Sequence, residues 1–109
     1  MNATDVAKLV REQIADRWDD TNSHRVNLRG DLVKPFLARA VLHRIQKGKQ
    51  IETPVEVWIV LAEDHEDGYL IFYDESRNAF GLASRGITSN EPFSICGYYG
   101  DFWSAFVGM

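Results

Sequence analysis

The sequence has one cysteine, three prolines and no apolar run long enough to cross a bilayer. A lone thiol, Cys96, excludes an internal disulfide, so stability has to come from packing, as suits a reducing compartment. The longest apolar run, Val57 to Ala62, is far shorter than a membrane span, and no membrane role is expected. The first eleven positions mix acids and bases instead of placing a basic segment before an apolar one, so no secretory leader is expected and the expected location is cytoplasmic. A surplus of Lys and Arg is also missing. The net charge of −4 argues against nucleic acid as a partner, since a basic field does most of the attracting there.

What is present is ordinary globular usage: 45% hydrophobic, 26% charged and 12% aromatic residues in 109. That length suits a single domain, residues 1–109, burying roughly two thirds of its unfolded surface. The charge is unevenly placed. Between Arg25 and Lys49 there are seven basic residues and one acid, Asp31, whereas Gln50 to Glu75 holds eight acids and no Lys or Arg. A hairpin turning around Lys49 would set these halves side by side, with Arg44 beside Glu56 and Leu42 beside Trp58. Each such pair is worth about 0.2–1 kcal/mol.

Helical spacing runs through Val6, Leu9, Val10, Ile14 and Trp18, predicting a helix from Thr4 to Trp18 with Thr4 as its cap. For Phe36 to Ile45, a helical stripe competes with one arm of a long hairpin that turns near Lys47-Gly48-Lys49, and the strand is preferred. Its partner is Val55 to Ala62, followed by strands Tyr69–Tyr73, Phe80–Ala83 and Phe93–Tyr98. Asp101 can cap a short last helix bearing Trp103, Phe106 and Val107. The expected class is α+β: an N-terminal helix packed on a curved antiparallel sheet of four to five strands, with a short C-terminal helix.

Two strands are apolar on both faces. Val55, Val57, Ile59 and Leu61 oppose Trp58, Val60 and Ala62, while Leu70 and Phe72 oppose Tyr69, Ile71 and Tyr73. An antiparallel sheet with one wet face alternates cleanly, so something covers both faces here. Helices or a sheet curled on itself would do so; so would a second copy of the chain, and a homodimer is expected. Five aromatic residues in the nine from Tyr98 to Phe106 suit either a core or a dimer contact around Trp103 and Phe106.

Motifs for chemistry are sparse. With Glu63 as position one, Glu63 to Asp74 matches a calcium loop at Asp67-Gly68, but His65 stands at position three and Asp74 at twelve. An oxygen ligand and the bidentate Glu are then missing. For Glu63 to Gly68 a solvated turn is the better reading, Asp74 to Asn78 reads as a second turn, and no metal is expected. His24, His43 and His65 lack ligand spacing, and Cys96 reads as a small buried hydrophobe. Gly81, Gly86, Gly97 and Gly100 make no phosphate loop, Ser84 and Ser94 no nucleophile elbow, and no cofactor is expected.

The run Val57-Trp58-Ile59-Val60-Leu61-Ala62-Glu63, then Gly68-Tyr69, Phe80-Gly81-Leu82-Ala83 and Tyr99-Gly100-Asp101-Phe102-Trp103 with Met109, resembles a group of small uncharacterised bacterial proteins. Their pattern is a WLVLEE-like strand, a GY strand, an FGLA strand and a YGSF-like ending. The resemblance implies a bacterial origin and strands over Val55 to Ala83, and it carries no activity.

Two functions follow. The leading one is a non-catalytic protein-interaction module, of inhibitor or immunity type, that self-associates and meets a basic protein through Glu63, Asp64, Glu66 and Asp67. The alternative is a small-ligand binder or modest enzyme whose concave sheet is lined by Trp58, Tyr69 and Tyr73, with His43 or Cys96.

Overall fold

A meander of five strands reverses direction four times, so its first and last strands run the same way. If such a sheet closes on itself, the closing contact has to be parallel. The computed structural model, which describes residues 1–63, 68–85 and 92–109, contains this arrangement. Its elements are α1 (Ala3–Ile14), α2 (Leu28–Asp31), β1 (Leu32–Gln46), β2 (Lys49–Ala62), β3 (Tyr69–Asp74), β4 (Ala79–Ser84), β5 (Phe93–Gly100) and α3 (Phe102–Gly108). Strands β1 to β5 form a closed barrel in sequence order. Every neighbour is antiparallel except β1 with β5, which meet in parallel at Ala40–Phe93 and Val41–Ser94. The expected α+β class holds; the open curved sheet is corrected to a barrel.

Closure explains the two apolar faces. Ala40, Val57, Ile59, Leu70, Phe72, Ala83 and Ile95 point inward and fill the barrel. Trp58, Val60, Ile71, Tyr73, Phe80 and Leu82 point outward and are buried against Val6, Val10 and Ile14 of α1 and Phe102, Ala105 and Phe106 of α3. A bulge between Ile59 and Leu61 moves Leu61 to the outer core and Ala62 to the inner one, reversing the simple alternation. Both faces are thus covered within one chain.

The first helix begins and ends earlier than its periodicity suggests. Asn2, not Thr4, caps it in a reciprocal box with Asp5, and Ala15 closes it at φ 54°. Trp18 then reaches the outer core from the following turns. Asp101 caps α3 by accepting from the Ser104 N–H at 3.0 Å, as expected.

The β1–β2 register also differs. Lys47 (φ 51°) and Gly48 (φ 74°) form a two-residue turn with both residues left-handed, the geometry that suits the natural twist of a hairpin. Pairing therefore runs from Gln46–Lys49 outward, so Arg44 faces Ile51 and Leu42 faces Thr53. Arg39 meets Glu56, and His43 meets Glu52 with Nδ1 3.7 Å from its carboxylate. Opposite charges do face each other, about five residues from where a turn at Lys49 would place them. Pro35 sits beside the irregularity between Leu32 and Phe36, where a missing N–H is tolerated.

Inside the barrel the Phe72 ring lies over Gly81. A Cβ there would come within 2.5 Å of the ring and 2.4 Å of the Gly97 carbonyl oxygen. Because one of those neighbours is backbone, Gly81→Ala has to move a strand. It should cost about 1–3 kcal/mol, whereas Gly48→Ala, whose Cβ would meet open space, should cost about 1 kcal/mol for its backbone alone. Urea midpoints of the two variants check this order.

Candidate functional site

The side chains named from sequence do not share one wall. Trp58 and Tyr73 are cross-strand partners, yet both are buried beneath the helices. Trp103 and Phe106 lie in the same outer core. The Trp103 indole N–H donates to the Gln13 carbonyl at 2.7 Å, and Arg17 stacks on its ring at 3.8 Å. Tyr69 lies at the start of β3 against the His24 ring, and His43 stands on the β1–β2 hairpin. Cys96 is exposed, not buried: Ile95 takes the inward position and turns its neighbour out.

The acidic cluster divides as well. Asp64, Glu66 and Asp67 lie outside the described residues, as does His65. Glu63 is 5% exposed, accepting from the His24 Nδ1–H at 2.8 Å and the Tyr69 backbone N–H at 3.3 Å. This carboxylate is part of the fold: it ties the loop ahead of α2 to the start of β3. Sequence pattern missed the pair because its members are 39 residues apart.

Asp74, read as a turn residue, is 1% exposed. One oxygen accepts from the Ser76 N–H and hydroxyl; the other accepts from Tyr98 Oη at 2.7 Å and Arg77 at 2.8 Å. Burial alone would push this carboxyl up, but the hydrogen bonds and the Arg77 charge outweigh it and hold it below its ordinary value. Burial, then the bond to Asp74, pushes the Tyr98 phenol up to about 12. The cluster ties the β3–β4 turn to β5, with Asp74 buried and Ser76 and Arg77 exposed above it. Among the described residues, no group of His, Cys, Asp and Glu is arranged to hold a metal ion.

Two outward-facing features among the described residues offer room for a partner or a ligand. The first is a ribbon. Pairing of β1 with β5 ends at Val41, and pairing of β2 with β3 begins only at Trp58. Leu42 to Thr53 therefore pair only with each other, giving the molecule a 45 Å long axis against 28 and 24 Å. One ribbon face carries Leu42, Arg44, Lys49 and Ile51; the other carries His43 and Ile45, and Ile45 is 83% exposed. A hollow of about 420 Å³ is lined by His43, Arg44, Ile45, Gly48 and Gln50. The charged flanks and Pro54 guard the free edges against unwanted strand pairing, which leaves the side-chain faces for contact.

The second is a groove between α1 and the start of β1. Its volume is about 370 Å³, and its walls include Ala7, Val10, Trp18, Leu32, Pro35 and Val60. Arg11 and Lys34 also line it.

The chain matches no protein-family model, no curated protein and no solved structure. Function is accordingly argued from these surfaces. No helix among the described residues is long and apolar enough to cross a membrane.

The Asp74–Tyr98 pair makes a prediction about stability. Asp74 contributes fully above about pH 4, and that contribution is lost as pH falls through its lowered folded value. Tyr98, raised from 10.0 to about 12, contributes fully below about pH 10 and loses it as pH rises toward 12. Tyr98→Phe should cost about 1.5–3 kcal/mol at neutral pH. In urea titrations across pH, the gap between wild type and this variant should narrow at both extremes.

Proposed function

We propose that the protein is a non-catalytic interaction module that grips a protein partner with its β1–β2 ribbon. The observation that carries this reading is the length of the hairpin. Residues 42–53 extend past every strand that could support them, add only Leu42 to the edge of the inner core, and yet expose Ile45 and Ile51. A two-stranded extension costs chain entropy and contributes little stability on its own. Contact with a partner accounts for it.

Charge indicates what that partner surface is like. The ribbon carries Arg44, Lys47 and Lys49 against Glu52 alone, in a chain of net charge −4. A partner with an apolar seat for Ile45 or Ile51 and an acidic rim complements it, with the rim acting on association rate more than on final affinity. This partner has the opposite charge to the one expected of an acidic face. Of the four acids behind that expectation only Glu63 lies among the described residues, and it is buried. Ile51, on the ribbon face that also carries Arg44 and Lys49, resembles the central anchor of interfaces whose energy is concentrated in a few side chains. Blocking a partner's site by inserting such a ribbon would be an inhibitor's mode of action.

Native mass spectrometry of the protein purified gently from its host is the test. The wild-type chain should carry a second polypeptide that dissociates as salt rises. An Ile45→Asp, Ile51→Asp double variant should fold with an unchanged circular dichroism spectrum and travel without it. Retention of the same partner by the variant, or a bare wild-type chain at low salt, would overturn the proposal; a mass twice that of the chain would instead make the partner a second copy.

A further inference from the structure

The groove between α1 and β1 has the form of a ligand site that is separate from the ribbon. We infer that it binds an amphipathic monocarboxylate, an apolar chain ending in one anionic group. Its volume of about 370 Å³ falls in the range of small-molecule pockets, which are concave, mostly apolar and equipped with a few polar groups. Here the apolar walls are Val10 and Ala7 on the helix, Trp18 after it, and Leu32, Pro35 and Val60 on the strands. The polar groups are two cations and the Thr4 hydroxyl.

The cations decide the sign of the ligand. Arg11 comes from the last turn of α1 and Lys34 from β1, so two separate elements bring positive charge to one apolar hollow. Neither makes an ion pair among the described residues, although Arg17, Arg29 and Arg77 all do. The helix dipole accounts for a cation in the last turn of α1. It does not account for Lys34. No acidic side chain lines the hollow. A carboxylate between the two cations would take charge-assisted hydrogen bonds while its chain lies along Val10 and Val60.

Isothermal titration with hexanoate, octanoate, decanoate and decanol, together with amide chemical-shift mapping, tests this. Decanoate should bind at one site per chain and weaken about fourfold for each methylene removed. Shifts should concentrate at Ala7, Val10, Lys34 and Val60. Arg11→Gln with Lys34→Gln, both exposed and outside the cores, should lower decanoate affinity about fivefold and leave decanol unchanged. Ala7→Phe should abolish both by filling the hollow. Absence of saturable decanoate binding, equal affinity for decanol, indifference to the paired Gln variant, or shifts confined to residues 42–53 would each overturn the inference. The ribbon double variant should bind decanoate like the wild type, so failure here is distinct from failure of the interaction reading.

Discussion

The barrel part of β2, together with β3 and β4, has to hide two apolar faces, and 109 residues have to do it without a disulfide. Closing the sheet buries one face against itself, and two short amphipathic helices laid on the outside bury the other. Each step depends on the other. A five-stranded barrel is narrow enough that Phe72 needs a glycine opposite it, and the outer sheet face is broad enough that α1 and α3 are both required. The odd strand number makes the closing contact parallel and leaves it short, two residue pairs long. From that short closure follows the free ribbon, because β1 runs on after β5 has turned away.

Much of the architecture could be read from residue pattern. The strands over Val55–Ala62, Tyr69–Tyr73, Phe80–Ala83 and Phe93–Tyr98 all appear, as does the Asp101 cap, because β-branched and aromatic runs between turn residues are local signals. What escaped was non-local or depended on offsets. The register of β1 and β2 hinges on whether the turn centres at Lys47-Gly48 or at Lys49, and composition does not distinguish these. Two positive φ angles do. Asp74 reads as a solvated turn acid until Tyr98, 24 residues later, is seen to donate to it. Cys96 misleads for a simpler reason: a small apolar residue beside a buried one takes the outward position in a strand.

The candidate site was less legible than the fold. Sequence directed attention to aromatic residues and acids, the types that usually mark function. In the structure Trp58, Tyr73 and Phe106 are spent on the core, and Glu63 and Asp74 on internal hydrogen bonds. The residues proposed here for recognition, Arg44, Ile45, Lys49, Ile51, Arg11 and Lys34, carry no motif. Their significance comes from position alone: on a strand pair that outruns its neighbours, or around a hollow between helix and sheet. Binding surfaces of this kind are defined by what the core does not consume.

The central claim is that residues 42–53 stand free in the isolated chain and become covered only by a partner. Hydrogen exchange on the dilute purified protein measures this most directly. The account predicts slow exchange for amides of β3 and β4, limited by global unfolding, and fast exchange for the outward amides of the ribbon. Protection of the ribbon equal to that of the barrel, in the isolated chain and independent of its concentration, would contradict the account.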